Sequence, residues 1–272
     1  MTSVAVPVTP HLEAELLAPE ITRRPEAECA RHFIIPAYNE EDNLPRLLDD
    51  LEQRIHLFPE GSRVLIVDDG SQDGTAEVVA AYRGPVPIEL LSMGHNQGPG
   101  AAFRAGFLEV LERCEEDAYV VTLEADTTSD LDALPGMIER VDRGADVVLA
   151  SWVMLNVKPL RRLLSAGAGW VVRRSLGVQA TTVSSFFRVY RASALRAAHV
   201  TYGDRLIREP GFACKAEILA KLARLGAHIE EVPVGLDSTR RAGKSKMPIF
   251  KTILCYWRML ARAWFARGTA SA

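Results

Sequence analysis

Residues 31–150 repeat one pattern: a short apolar run rich in Val, Ile and Leu, then a polar turn, then a stretch whose apolar residues recur at helical spacing. The predicted strands are Arg31–Pro36, Arg63–Val67, Ile88–Ser92, Ala118–Leu123 and Asp146–Ala150. The helical stretches between them are Leu44–Ile55, Thr75–Tyr82, Gly100–Arg113 and Leu131–Val141. Strands joined through helices of this length predict an α/β fold, a mostly parallel central sheet with helices on both faces. Open sheets of this kind bind ligands beyond the C-terminal ends of their strands. The polar residues that close each run are therefore the first candidates for a site.

The second half is less regular. It predicts a helix with a basic face at Leu160–Leu176, a strand at Val183–Tyr190 and a helix at Gly211–Leu225 closed by Gly226. A strand at Ile229–Leu236, a basic loop at Asp237–Lys246 and a helix at Ile249–Phe265 follow. No linker divides the halves, so residues 31–246 read as one domain. Residues 1–30 mix Pro, Glu and Thr without periodicity and read as a flexible leader, with a short helix at His11–Leu17. Residues 247–272 read as a basic amphipathic helix and tail.

Composition excludes several classes. With 48% hydrophobic and 25% charged residues in a chain of 272, the bulk of it is neither collagen-like nor disordered. Cysteines 29, 114, 214 and 255 have no CxxC spacing and no nearby His partners, which speaks against a zinc site or a disulfide scaffold and for reduced thiols. No run approaches the ~18 apolar residues of a membrane span, and no signal peptide is evident. Charge is uneven. From Ser238 onward there are eight basic residues and no acid, so the preceding part carries a net charge of −11. A basic end on an acidic body suggests an anionic partner for that end. The pI of about 6.1 argues against nucleic acid as the partner.

Three strand-closing segments carry chemistry. In Ile34-Ile35-Pro36-Ala37-Tyr38-Asn39-Glu40-Glu41, Pro36 stops the strand and the loop offers an aromatic face and two acids. Tyr38 suits stacking on a flat base and Glu40 suits its N–H groups. A plain strand-to-helix turn, with both acids near the helix N-terminus, is the simpler account. In Val67-Asp68-Asp69-Gly70-Ser71-Gln72-Asp73-Gly74-Thr75, Asp73 reads as the cap of the next helix. The two acids before it exceed what a turn requires. In Leu123-Glu124-Ala125-Asp126-Thr127-Thr128-Ser129-Asp130, Glu124 and Asp126 share a side if the segment is extended. Two such carboxylates suit Mg²⁺ or Mn²⁺ carrying a diphosphate. Alternatively the segment is a polar strand end in which Ser129 or Asp130 caps the helix.

Together the three segments resemble the family 2 glycosyltransferases, which have the GT-A nucleotide-sugar-binding fold. The resemblance implies that Pro36, Tyr38, Glu40, Asp68 and Asp69 hold the donor nucleotide. It also implies that Glu124, Asp126 and Thr128 hold a divalent metal, Mg or Mn, with the diphosphate. The family's third motif is usually Asp-x-Asp, and Glu124 departs from it with a longer side chain that remains an oxygen ligand. Gly94-His95-Asn96-Gln97-Gly98-Pro99-Gly100-Ala101-Ala102 looks like the family's Gly-rich segment. Phe187-Arg188-Val189-Tyr190-Arg191 resembles the aromatic–Arg strand of the dolichol-phosphate mannosyltransferase type. Glu231-Val232-Pro233-Val234 and Arg240-Arg241-Ala242-Gly243-Lys244-Ser245-Lys246 resemble that subfamily's late strand and phosphate-gripping loop. The resemblance covers residues 31–250.

The subfamily resemblance implies a hexose transfer, with inversion, from a nucleotide sugar to a polyprenyl phosphate. GDP-mannose is the favoured donor and UDP-glucose the runner-up. Arg161 and Ser165, at i and i+4 on one helical face, would hold the acceptor phosphate; a solvated basic face is the plain alternative. Ala150-Ser151-Trp152 stands where the subfamily often has Gly-Ser-Arg. Asp126, Arg240 and Lys246 would carry the chemistry, the two cations by stabilising the departing diphosphate. A phosphate monoester, with a second pKa near ~6, is already an anionic nucleophile and needs no general base. A hydroxyl acceptor would need one, and Glu209 and Glu217 are the candidates, although Glu217 also suits solvent or a pair with Lys221. The C-terminal helix, aromatic and cationic without acids, suits the surface of an anionic cytoplasmic leaflet, or packing on the domain or a partner. A soluble glycosyltransferase acting on a hydroxyl and a nucleotide-sugar-binding protein without turnover are the competing readings. A dehydrogenase is disfavoured, because no GxGxxG follows the first strand.

Overall fold

The computed structural model describes residues 29–153, 182, 183, 185–235 and 255. In chain order the elements are β1 (Arg31–Ala37), α1 (Leu44–Glu52), β2 (Arg63–Asp68), α2 (Thr75–Ala81), β3 (Ile88–Ser92) and α3 (Pro99–Arg113). There follow β4 (Tyr119–Thr122), α4 (Leu134–Asp142), β5 (Val147–Val153), β6 (Arg188–Arg191), α5 (Ala192–Tyr202), α6 (Cys214–Arg224) and β7 (Ile229–Gly235). The strands form one sheet in the order β3-β2-β1-β4-β6-β5-β7. β1 runs parallel to β2 and β4, β2 parallel to β3, and β5 parallel to β7. β6 lies antiparallel between β4 and β5. The predicted, mostly parallel α/β sheet is therefore what forms, with β6 reversed.

Two apolar layers cover the sheet, and the period of two along each strand assigns residues to them. Phe33, Ile35, Val64, Ile66, Tyr119, Val121, Val148 and Val189 face one layer. Ile34, Leu65, Val67, Val120, Val147, Leu149 and Tyr190 face the other. Helices complete each side through helical spacing. α1 offers Leu44, Leu47, Leu48 and Leu51, and α4 offers Leu134, Met137, Ile138 and Val141, to the first layer. α3 brings Phe103, Phe107, Val110 and Leu111 to the second, joined by α5 and α6. Burying each such side chain stabilises the fold by ~1.5–3 kcal/mol. α3 lies so close to the sheet that a Cβ on Gly106 would stand 2.5 Å from Ile34 Cγ2. Only glycine permits that approach.

Several boundaries differ from the sequence reading for local reasons. The predicted strand over 183–190 shortens to β6, because the Ser185 hydroxyl accepts the Phe187 amide (3.1 Å) and diverts the backbone from the ladder. α6 starts at Cys214 rather than Gly211, after a turn in which Cys214 N–H donates to the Gly211 carbonyl (3.1 Å). Its end is as predicted: Gly226 has φ +83°, and Ala227 N–H returns to the Leu222 carbonyl at 3.1 Å. α5 was not foreseen. Its buried face is Ala192, Leu195 and Ala198, too weakly apolar to stand out. The leader helix, the basic helix with Arg161 and Ser165, the loop with Arg240 and Lys246, and the C-terminal helix lie outside the described residues, Cys255 excepted.

His32 in β1 is buried, and burial together with the nearby Arg63 charge pulls its pKa down to about 4, only partly countered by Glu89. The unfolded chain takes up this proton near pH 6.5 and the folded one only near pH 4. Stability is thus present above pH 6.5 and lost as pH falls through 4. At ~1.4 kcal/mol per pKa unit the loss between pH 7 and pH 4 is about 3 kcal/mol. Urea unfolding across this range is expected to have that much less pH dependence in His32→Leu than in the wild type.

Candidate functional site

The parallel register of β1, β2 and β4 brings their C-terminal ends, and the segments that close them, to one edge of the sheet. The first two loops are laced together by hydrogen bonds. Asn39 N–H donates to Ser71 Oγ (2.9 Å), Gln72 N–H to Asn39 Oδ1 (2.8 Å) and Glu40 N–H to Thr75 Oγ1 (2.8 Å). Gly74 N–H reaches Glu41 Oε2 at 2.7 Å, and Asn43 Nδ2 reaches Glu40 Oε2 at 2.7 Å. Asn39 takes φ +53°, which asparagine tolerates better than most side chains. Pro36, Tyr38 and Glu40 are half-buried at this edge beside Asp68 and Asp69. The N-cap of α2 is Gly74 rather than Asp73, and Asp73 supports the helix start from one residue before it by accepting the Thr75 amide (3.1 Å).

The paired aspartates were read as one base-binding unit, and their geometry divides them. Asp69 is buried, and its two carboxylate oxygens accept the backbone N–H groups of Gln97 (2.7 Å) and Gly98 (2.8 Å). Burial still raises its pKa, although those two bonds oppose the rise. Its bonding capacity is thus directed to the loop that enters α3. Asp68 Oδ1 accepts Ser71 N–H at 2.9 Å, and its other oxygen has no partner among the described residues. Of the two, Asp68 is the one equipped to receive a ligand N–H.

The Gly-rich segment is a contact plane. A Cβ on Gly70 would lie 2.4 Å from His95 Cα, and one on Gly100 would lie 2.0 Å from the Glu209 carbonyl oxygen. Gly100 N–H donates to the Pro210 carbonyl at 2.7 Å. The 208–210 segment is held from its far side by Glu217, whose Oε2 accepts the Arg208 and Glu209 amides, both at 2.8 Å. Glu217 also pairs with Lys221 (2.5 Å). It has the expected lysine partner but is buried rather than solvated, and its contacts make it a brace rather than a base. Glu209 is buried at the tip of that segment.

The third segment is not extended. β4 ends at Thr122, and the chain turns at Ala125 and Asp126. The pleat of a strand therefore does not set the relation of Glu124 to Asp126, which corrects the same-side argument. Thr127 has φ +61°, a strained conformation for a β-branched residue and one that concentrates at functional sites. Asp126 Oδ1 accepts both the Thr128 amide (3.1 Å) and the Thr128 hydroxyl (2.6 Å). Thr128 thereby orients the carboxylate and keeps hydroxyl lone pairs of its own. Asp130 caps the turn after it by accepting Asp132 N–H (3.1 Å). Among the described residues the buried Ser129 hydroxyl has no hydrogen-bond partner. No group of three or more His, Cys, Asp or Glu residues gathers here among the described residues. The donor set, two carboxylates and hydroxyl oxygens, fits a hard divalent ion that takes its remaining ligands from water and a diphosphate.

Two buried cations were not foreseen as neighbours. Arg188 in β6 is 1% exposed. Its Nη1 donates to the Lys215 carbonyl (2.8 Å) and its Nη2 to the Val183 carbonyl (3.0 Å). It joins elements rather than presenting itself to a ligand. Lys215, on the first turn of α6, is 7% exposed with its ammonium 4.0 Å from the Phe186 ring centroid and 5.3 Å from that of Phe212. Burial pulls its pKa down, and the charge of Glu124 pushes it back up. The only sign in sequence is a lysine inside the apolar turn Phe212-Ala213-Cys214-Lys215-Ala216. Ser151, at the departure from the subfamily pattern, bonds Thr182 Oγ1 (2.8 Å), and Glu231 of β7 accepts the Thr182 amide (2.7 Å).

The family model described as "Glycosyl transferase family 2" matches residues 32–199. The chain belongs to glycosyl transferase family 2. This glycosyltransferase is 34% identical over 220 residues to an undecaprenyl-phosphate mannosyltransferase of Micrococcus luteus, a match covering 79% of this chain and 86% of the relative. It is 30% identical to a polyprenol monophosphomannose synthase of Mycolicibacterium smegmatis, over 79% of each chain. An undecaprenyl-phosphate 4-deoxy-4-formamido-L-arabinose transferase of Pseudomonas fluorescens is 32% identical over 79% of this chain, which spans 59% of that longer relative. Among solved structures, the glucosyl-3-phosphoglycerate synthase of Mycobacterium tuberculosis, crystallised with Mn²⁺ and UDP, superposes with a TM-score of 0.61. At 18% identity it covers 89% of the glycosyltransferase and 81% of its own chain, and it bears on the fold alone, which is GT-A.

The division between the aspartates is measurable. Asp69→Ala removes the acceptor of two part-buried backbone N–H groups, and is expected to lower the unfolding free energy by about 2 kcal/mol. Asp68→Ala removes one local bond and should cost about 1 kcal/mol, with its larger effect on nucleotide affinity. Denaturant midpoints and calorimetric titration with nucleoside diphosphates read the two effects separately.

Proposed function

We propose that this family 2 glycosyltransferase moves a hexose, mannose, from a nucleoside diphosphate sugar to a polyprenyl phosphate at the cytoplasmic face of a membrane. The observation that carries the reading is the 34% identity along 86% of a relative named for undecaprenyl phosphate and mannose. A second relative named for the same chemistry supports it, at 30% identity. GDP-mannose is the donor on this reading and UDP-glucose the alternative.

The described residues suit the donor half of the reaction. Tyr38, Glu40 and the open oxygen of Asp68 would hold the base. Glu124 and Asp126, with Asp126 oriented by Thr128, would hold the divalent ion. That ion, when bound, supplies charge stabilisation at the diphosphate oxygens. A phosphate oxygen of the acceptor attacks the anomeric carbon and forms the new C–O bond. The bond from that carbon to the β-phosphate oxygen breaks, and the nucleoside diphosphate leaves with the electron pair. Attack from the opposite side inverts the centre. Because the nucleophile is already an anion, no side chain has to take a proton, which agrees with the structural ties on Glu217. Arg161 and Ser165 on the acceptor phosphate, and Arg240 and Lys246 on the leaving diphosphate, complete the proposed site.

Incubation with polyprenyl phosphate and radiolabelled GDP-mannose, with UDP-glucose in parallel, tests the reading. The expected product is chloroform-soluble and labile to mild acid. EDTA is expected to abolish it, and Asp126→Ala to reduce it by about 100-fold or more. Label that enters only water-soluble glycosides would overturn the lipid acceptor. Undiminished transfer in EDTA would overturn the metal assignment.

Among the described residues no helix is long and apolar enough to cross a membrane. Contact with the bilayer is proposed to run through residues 249–265, where each basic residue near an anionic surface contributes ~1 kcal/mol. Deleting residues 250–272 is expected to release the protein from anionic liposomes while circular dichroism and nucleotide binding stay unchanged. A folded truncated protein that still sediments with liposomes would remove this segment as the anchor.

A further inference from the structure

Lys215 is an expensive residue for its place. Burying an ammonium carries a desolvation penalty even after relaxation. The rings of Phe186, at 4.0 Å, and Phe212, at 5.3 Å, offset part of that through their π faces. A methionine of similar length would fill the same space without the charge. The position of Lys215 is fixed from two sides. Its carbonyl accepts Arg188 Nη1, and Arg188 pairs in the sheet with Thr122, the last residue of β4. Thr122, Arg188 and Lys215 line one small cavity with Phe186 and Tyr190. The ammonium lies against the ring of Phe186, and the Phe186 carbonyl accepts the Thr122 hydroxyl at 2.5 Å, which sets that residue beside the end of β4, two residues before Glu124. Among the described residues, Glu124 is the carboxylate whose charge acts on it.

We propose that Lys215 is the resident counter-cation of the metal-binding end, a positioning residue that pairs electrostatically with Glu124 and keeps the divalent ion weakly bound until a nucleoside diphosphate arrives with it. The inference rests on the reading in which Glu124 and Asp126 hold that ion. The physical basis is charge balance. Two carboxylates alone present a charge of −2, which attracts a divalent ion and repels a diphosphate. A fixed positive charge beside them reduces the net to −1. Attraction for the bare ion falls, and so does repulsion of the diphosphate. Ion and donor then bind best as a pair, in which each supplies the charge the other needs.

Lys215→Met in the full-length protein tests this, read by the electron paramagnetic resonance signal of free Mn²⁺ with no substrate present. Coulomb interaction over the length of a side chain, at the effective dielectric of a partly buried site, predicts that Mn²⁺ binds the variant about tenfold more tightly. GDP or UDP without metal is expected to bind it several-fold more weakly. Lys215→Arg, which keeps the charge, should remain close to the wild type in both titrations. The sign is diagnostic, since a lysine that merely supported the fold would loosen the metal site when replaced. Should Lys215→Met fail to fold, Lys215→Gln serves the same comparison. Unchanged or weakened Mn²⁺ binding in the charge-removing variant, with Asp126→Ala abolishing binding, overturns the inference and leaves the metal assignment standing. Equal Mn²⁺ binding in wild type and Asp126→Ala overturns the metal assignment itself, and the inference with it.

Discussion

β1 is the constraint on which the rest depends. It is buried between β2 and β4 and runs parallel to both, so three chain segments far apart in sequence end at one edge. Parallel strands cannot be closed by tight hairpins, and each must return through a helix. That requirement covers both faces with apolar helices and leaves only the strand ends for polar chemistry. The acids at those ends are therefore tolerated and gathered by the same topology. Antiparallel β6 then closes the sheet beside β4 and carries Arg188 under the third acidic segment.

Two buried carboxylates pair backbone N–H groups at this edge. Asp69 takes those of Gln97 and Gly98, Glu217 those of Arg208 and Glu209, and Gly100 meets Pro210 between them. A continuous chain of hydrogen bonds thus runs from the end of β2 to the first turn of α6. It works only because Gly98 and Gly100 have no side chains: a Cβ on either would fall within 2.5 Å of a carbonyl oxygen. A site that binds a phosphorylated donor gains from this rigidity, since preorganised groups need little rearrangement when the ligand arrives. The strain at Thr127 and a Ser129 hydroxyl without a hydrogen-bond partner among the described residues mark the stretch that carries the proposed metal ligands.

Charge is the second organising theme. The body of the chain is acidic, yet Arg188 and Lys215 are buried beneath its candidate metal end. One serves as a structural clamp on carbonyl oxygens, and the other keeps its ammonium against aromatic faces. The charge of Glu124 acts on Lys215, so the local electrostatics of the site differ from a simple count of its carboxylates.

The sheet, its two helical layers and the three acidic strand ends were legible in the sequence. Their signals are local: a period of two in the strands, a period near 3.6 in the helices, and Pro or Gly at the turns. The Asp-Asp pair and Glu124-Ala125-Asp126 could be found the same way, because a polar cluster after an apolar run needs no tertiary information. What each residue does there could not. Asp69 finds its partners 28 and 29 residues away, and Arg188 meets Lys215 across 27. The side-by-side placement of Glu124 and Asp126 was inferred from an extended strand that in fact turns at Ala125. Lys215 has no reading of its own within the predicted helix, because its burial comes from packing. Sequence determined which segments would be strands, helices and polar ends, since those follow from the chemistry of near neighbours. Only the tertiary structure decided the direction of β6, the division of work between Asp68 and Asp69, and the burial of Lys215. Each of these depends on groups brought together by folding, whose hydrogen bonds and desolvation exist only after they meet.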